Sequence, residues 1–331
     1  SGDFGMREGF GISPAAILTR LASSHIRVGT FEYFAARSDY KSLRILADYT
    51  INRCYPSCYK STEPYLELLK QILNAQAELV ASWMRIGFIH GVMNTDNCAI
   101  AGITIDYGPC AFMDEYNADT VFSSIDQFCR YAYSNQPHIA HCNMARFAEA
   151  LLPLLGKDMN KAVAAANSVI EEFTPLYQKY WLENMALKIG IDTPHADSKK
   201  LITDLLAIMQ QDKLDFTNIF ADLCTNLEGN NLPNKSTKLA AWVKKWQLHL
   251  QKTNISTSKA TQLMQSVNPL YIPRNHIVEK VIQSAVKDND FRPLTEFLEI
   301  LQQPFRKHQK HQYYSKPADS TERVSKTFCG T

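Results

Sequence analysis

The chain has 331 residues, enough to bury a sizeable core in one large domain or two. Its formal net charge of +2 leaves no broad basic field to hold nucleic acid. A charged fraction of 21% and a hydrophobic fraction of 45% are ordinary for a globular protein, and no apolar run reaches the roughly 18–20 residues needed to span a bilayer.

The opening segment SGDFGMREGFG has neither the basic flank nor the apolar block of a signal peptide. Residues 1–11 are Gly-rich and read as a mobile lead-in. Residues 15–21 are apolar enough for an edge strand. Arg20 and Arg27 flank Ser23-Ser24-His25. Guanidinium groups suit phosphate because their planar donors bind its oxygens in pairs, although spacing alone favours two solvated arginines. Residues 30–53 read as helical, with Thr30 as a cap and a second segment starting near Leu43. Cys54 and Cys58 have no second Cys/His pair at structural-zinc spacing, which weighs against a metal there. Pro64 opens a long helix to about Ile86, with Leu66, Leu69, Leu73, Ala77 and Val80 along one side.

That helix delivers the chain into Gly87–Asp114, where His90-Gly91, Asp96-Asn97 and Asp106-Tyr107-Gly108 follow one another. Two short apolar runs, 98–100 and 103–105, are separated by Ala101-Gly102 and predict a hairpin over Cys98–Asp106. Protein kinases share the layout: H-R-D-x-x-x-x-N precedes D-F-G, and the Asn and the D-F-G Asp hold Mg2+ on nucleotide phosphates. Here His90, Asn97 and Asp106 take those places, while the place of the kinase base is held by Val92, which cannot accept a proton. Asp96, beside Asn97, is the nearest carboxylate to replace it. In isolation, an Asp-Asn pair reads more simply as a cap or an Asx-turn.

Beyond a polar stretch after Asp114, helices are expected over about 139–155, 159–187 with a break near Pro175, and 194–209. Further helices are expected over 213–227, 237–252, 256–266 and 277–286. Arg146 and Glu149 are spaced to pair, and Trp242 and Trp246 to pack on one helix face. His138, His141 and Cys142 read as surface or packing residues rather than ligands. Residues 304–326 are rich in Lys, His, Gln and Ser, the run 306–312 reads as a solvated tail, and Cys329 lies two residues from the end. The eight cysteines are scattered, which points to a reduced compartment.

HGVMNTDN and TIDYGP, with the stretches at 20–39, 133–155, 268–282 and 328–331, strongly resemble the selenoprotein O family of protein adenylyltransferases. The resemblance implies a mainly α fold: a protein-kinase-like C-terminal lobe with a short β-hairpin at the active site and a helical C-terminal extension, the N-terminal lobe being largely missing. On that basis the chain divides into a lobe-junction remnant (1–29), a kinase-like lobe (30–155), a helical extension (156–303) and a polar tail (304–331). The implied activity is transfer of AMP from ATP to Ser, Thr or Tyr hydroxyls of protein substrates, dependent on Mg2+ (Mn2+ as substitute). Nucleic acid and membrane are not expected as partners. Carried over by the resemblance, Arg20, Arg27 and Asp106 would contact the nucleotide, Asn97 and Asp106 the metal, and Asp96 would be the catalytic base. The compartment would be the cytoplasm in a bacterium or the mitochondrion in a eukaryote. The family's C-terminal Cys is linked to redox control, and Cys110 and Cys129 are the cysteines nearest in sequence to the usual partner position. The competing readings are a kinase-like phosphotransferase and a silent nucleotide-binding pseudokinase fragment.

Overall fold

Helix starts along this chain are written in short polar side chains and prolines, which supply or dispense with the first-turn hydrogen bonds. Asp39 caps α2 (Tyr40–Cys54), Asp158 caps α5 (Met159–Glu171) and Asp215 caps α8 (Phe216–Thr225). Ser236 caps α9 (Thr237–Lys252), Ser256 caps α10 (Thr257–Val267), and proline stands in the first turn of α3 (Pro64–Ile86). The remaining helices are α1 (Val28–Ala36), α4 (Gln136–Leu155), α6 (Phe173–Lys188), α7 (Ala196–Asp212), α11 (Asn275–Lys287) and α12 (Arg292–Leu301). The structure, a computed structural model, describes residues 3–7, 11–15, 17–227, 236–308 and 312–328, the first two stretches as backbone only. Cys329 and the Gly229–Lys235 cluster lie outside the described residues.

The mainly helical expectation holds, and α3 runs over the residues anticipated. Its apolar side buries Leu69, Leu73, Ala77 and Val80, and it packs against both α4 and α6. One continuous apolar cluster extends from Val28 to Met264, and a smaller one joins Tyr271, Ile277, Phe297 and Tyr314. Trp242 and Trp246 stack at 5.7 Å and donate to the carbonyls of Leu201 and Ile189, so both are packing residues. Arg146 and Glu149 pair at 2.5 Å on the surface.

Three local expectations are corrected. Residues 3–7 and 11–15 are not an unstructured lead-in but pair antiparallel as β1 (Asp3–Arg7) and β2 (Gly11–Ala15), and the strand expected over 15–21 ends at Ala15. Thr30 does not cap; α1 starts earlier, behind Arg27. The hairpin over Cys98–Asp106 is absent. Instead β3 (Phe88–Ile89) pairs antiparallel with β4 (Ala111–Phe112) and brackets the whole loop. Residues 98–100 spend their backbone groups on 26–28: Val28 N donates to Cys98 O and Ile100 N to Ile26 O, both at 3.0 Å. Past the run at 306–312 the polar tail returns to the rest of the chain. Tyr314 is buried, Thr327 exchanges backbone hydrogen bonds with Phe122 and Ser124, and Arg323 pairs with Glu115.

Candidate active site

The loop between β3 and β4 is held by polar side chains that come from the helices beneath it. His90 is fully buried; its Nε2–H donates to the carbonyl of Ile105 at 2.9 Å, while Nδ1 faces Val92 N at 3.4 Å. Burial pushes its pKa down, partly offset by the bond to Ile105, so the ring is neutral with the proton on Nε2. It thereby pins the backbone next to Asp106. From α4, Gln136 accepts from His90 N at 3.0 Å and donates to Phe88 O at 2.9 Å. Asn143, also on α4, donates to Met93 O, and Gln76 on α3 donates to Ala99 O. Buried backbone groups need such partners, and a loop that belongs to no sheet must find them in side chains.

Asp106 is a non-glycine residue at φ +57°, a conformation that Asp tolerates better than most side chains. Its carboxylate lies 3.6 Å from Arg20, each side chain being over one-third exposed, and Arg20 sits over the Tyr107 ring at 5.8 Å. Arg20, Arg27 and Asp106 line one cavity of about 630 Å3, together with His25, Ile103 and Thr104. Among the described residues the Nε of Arg27, like that of Arg274, is buried without a hydrogen-bond partner. Two guanidinium groups beside a carboxylate suit a polyanion carrying a divalent ion.

Asn97 lies in the short 3-10 turn Thr95–Asn97, whose cap is Asn94 rather than Asp96. Its Nδ2 donates to Val92 O at 3.1 Å, which leaves the amide oxygen as the free ligand atom. It lines a small cavity that shares Leu79 and Ile103 with the larger one. Asp96 is brought elsewhere, against the first turn of α1. A Cβ built on Gly29 would stand 2.2 Å from its Oδ1. The structure thus gathers Arg20, Arg27 and Asp106 in one cavity, sets Asn97 in its neighbour, and seats Asp96 on Gly29.

Among the described residues no group of three or more His, Cys, Asp or Glu is placed to hold a metal ion. One carboxylate and one amide oxygen nonetheless fit Mg2+, which keeps waters and shares phosphate oxygens instead of filling an all-protein cage. Cys54 and Cys58 stay free thiols, and burial lifts the Cys58 pKa to about 11. Gln76, Gln136 and Asn143 were not picked out from sequence. Their one signal is a polar residue on the buried stripe of an otherwise apolar helix face.

Past β4 the chain is anchored by Arg274, which is fully buried and donates to Asp114, Asp215 and Asn218. Phe216 N donates to Asp114 O at 2.6 Å, tying the segment after the loop to the start of α8.

The loop closed by β3 and β4 thus presents charged groups to a ligand-sized cavity in a protein of helical build. The chain matches the model of the family described as "Protein adenylyltransferase SelO" over residues 2–302, and it belongs to that family. It is 46% identical over 323 residues to "Protein nucleotidyltransferase YdiU" of Maridesulfovibrio salexigens, covering 96% of this chain and 65% of that protein. The proteins of the same name from Clostridium botulinum (strain Loch Maree) and Bacillus cytotoxicus are each 48% identical over 319 residues, with the same coverage. The chain therefore spans just under two thirds of the length of these curated relatives. Among the described residues, no helix is long and apolar enough to cross a membrane.

Proposed function

We propose that this chain carries the active-site half of a protein adenylyltransferase, which moves AMP from ATP to a Ser, Thr or Tyr hydroxyl and releases pyrophosphate. The supporting observation is the cavity shared by Arg20, Arg27 and Asp106 in a member of a nucleotidyltransferase family. The kinase-like layout of His90, Asn97 and Asp106 supports the same reading, as does the compartment expected from eight scattered cysteines.

In this reading Arg20 and Arg27 bind the phosphate oxygens and neutralise charge, the dominant need of nucleotidyl transfer. Asn97 and Asp106 would hold Mg2+, which offsets the charge of the triphosphate and of the leaving pyrophosphate. Asp96 takes the hydroxyl proton as the acceptor oxygen bonds to the α-phosphorus and the α–β bridging bond breaks. His90 and Gln136 keep the loop at fixed height, so that little reorganisation is needed at the moment of reaction. Val92 stands where a kinase would orient a hydroxyl toward the γ-phosphate, which disfavours phosphotransfer.

The test uses a form as long as the curated relatives, given ATP labelled at either phosphate. Label from the α-phosphate should reach protein, and label from the γ-phosphate should not. Transfer of the γ-label, lost in Asp96→Ala, would mean a kinase with a relocated base.

A further inference from the structure

A second cavity, of about 650 Å3, opens beside the same loop and shares no lining residue with the first. Val92 and Asn94 form one wall; Ile125, Phe128, Arg130 and His138 form much of the rest. The two cavities are linked through the loop itself. Val92 O and the Asn94 side chain both hold Asn97, and His90, two residues before Val92, bonds the carbonyl next to Asp106. Whatever fills the second cavity therefore lies against the backbone that presents Asp96 and Asn97.

Its far wall is unusual for a free surface. Phe128 is 90% exposed and Ile125 62% exposed, side by side on one short loop. That loop is not slack. Asp126 folds it by accepting from the backbone N–H groups of Phe128, Arg130 and Tyr131 at 3.3, 2.9 and 2.7 Å. The Asp126 carboxylate is thus consumed internally, and the Phe128 ring is held outward rather than left to collapse. Arg130 is exposed and, among the described residues, makes no ion pair; its guanidinium lies 5.8 Å from the Tyr131 ring. The groove thus offers a partner the Arg130 guanidinium next to an apolar platform, the Asp126 carboxylate being turned to its own backbone.

We propose that this groove seats the acceptor segment of the protein substrate, taking an apolar side chain against Phe128 and Ile125 and an acidic side chain at Arg130. This rests on the transfer reading above and adds the docking surface and the sequence preference it imposes. A nucleotide is the poorer occupant, because one guanidinium faces this groove beside a carboxylate, whereas the first cavity has two guanidinium groups. A peptide suits it better: Val92 and Asn94 of the active-site loop border the groove, and its exposed apolar and cationic side chains complement those of a peptide.

The experiment uses a degenerate library of Ser-, Thr- and Tyr-containing peptides with α-labelled ATP and a form as long as the curated relatives. The wild type should select Asp or Glu and an apolar residue near the acceptor hydroxyl. Arg130→Glu should switch the acidic preference to Lys or Arg, and Phe128→Ala should raise the acceptor KM about ten-fold. Both should leave the KM for ATP unchanged, since neither residue lines the first cavity. Both side chains are exposed, so melting temperature should not move. Identical selection and acceptor KM in wild type and variants would overturn the docking surface while leaving transfer intact. No α-label on any peptide or protein with the wild type would overturn the transfer reading, and this proposal with it.

Discussion

Two arginine–carboxylate clusters lie on either side of the β3–β4 loop, and they are built in opposite ways. Arg274 is wholly buried and uses its donors on Asp114, Asp215 and Asn218. Arg20 keeps 41% of its side chain exposed and stands 3.6 Å from Asp106, too far for a hydrogen bond. Desolvation raises the pKa of Asp114 even though Arg274 opposes it, as expected for a group committed to the interior. The buried cluster commits Nη1 and Nη2 of Arg274 to two segments of the chain and is closed to a ligand. The loose, half-wet pair of Arg20 and Asp106 stays open to one. The difference separates an anchor from a binding site by burial and hydrogen-bond geometry, not by residue type.

The sharpest way to break this contrast is to delete each arginine. Arg274→Ala removes a fully buried cation from two partly buried carboxylates and should cost about 3 kcal/mol in urea unfolding. Arg20→Ala should cost less than about 1 kcal/mol in the same titration, as exposed pairs do. Equal losses would erase the distinction between anchor and site.

The carboxylates supply the next test. Asp106→Gly removes the proposed ligand at a backbone angle that glycine adopts freely, so stability should hold or rise slightly. Metal-dependent α-label transfer should fall about 1,000-fold. A mutant with wild-type transfer would move the site away from Asp106.

A smaller effect is expected at Gly29, whose missing side chain leaves room for Asp96. Gly29→Ala should displace that carboxylate and lower kcat about 10- to 100-fold. The unfolding free energy should change by less than about 1 kcal/mol, because alanine suits a helix. Unchanged kcat would show that Asp96 need not sit there.

Lys188 gives the smallest shift. It is buried over the Phe220 ring at 4.0 Å, and desolvation holds its pKa well below the usual 10.5. Between the lowered folded value and 10.5 the unfolded chain binds more protons, so stability rises with pH in that window and levels off above it. Lys188→Met should abolish that rise and be more stable at pH 7 by about 1 kcal/mol or more. A retained alkaline rise would assign it to another group.

Local pattern alone was enough for much of this protein. Apolar spacing and a proline start set α3, and short-range hydrogen bonds made caps of residues such as Asp158 and Asp215. The order of His90, Asn97 and Asp106 marked the loop because their chemistry sits in consecutive motifs. What the loop does with its backbone was decided only by the fold. The run 98–100 had two partners within reach, 103–105 across Gly102 and 26–28 from far along the chain. His90 takes the Ile105 carbonyl, Trp83 holds the Thr104 hydroxyl, and 98–100 pair with 26–28. The same holds for Gln76, Gln136 and Asn143, whose partners lie 23, 46 and 50 residues away. It holds too for the tail, which reaches back to Phe122 and Ser124. A buried N–H or C=O must be satisfied, but sequence spacing does not say by whom; that choice is made among groups brought close only when α3, α4 and the core have packed.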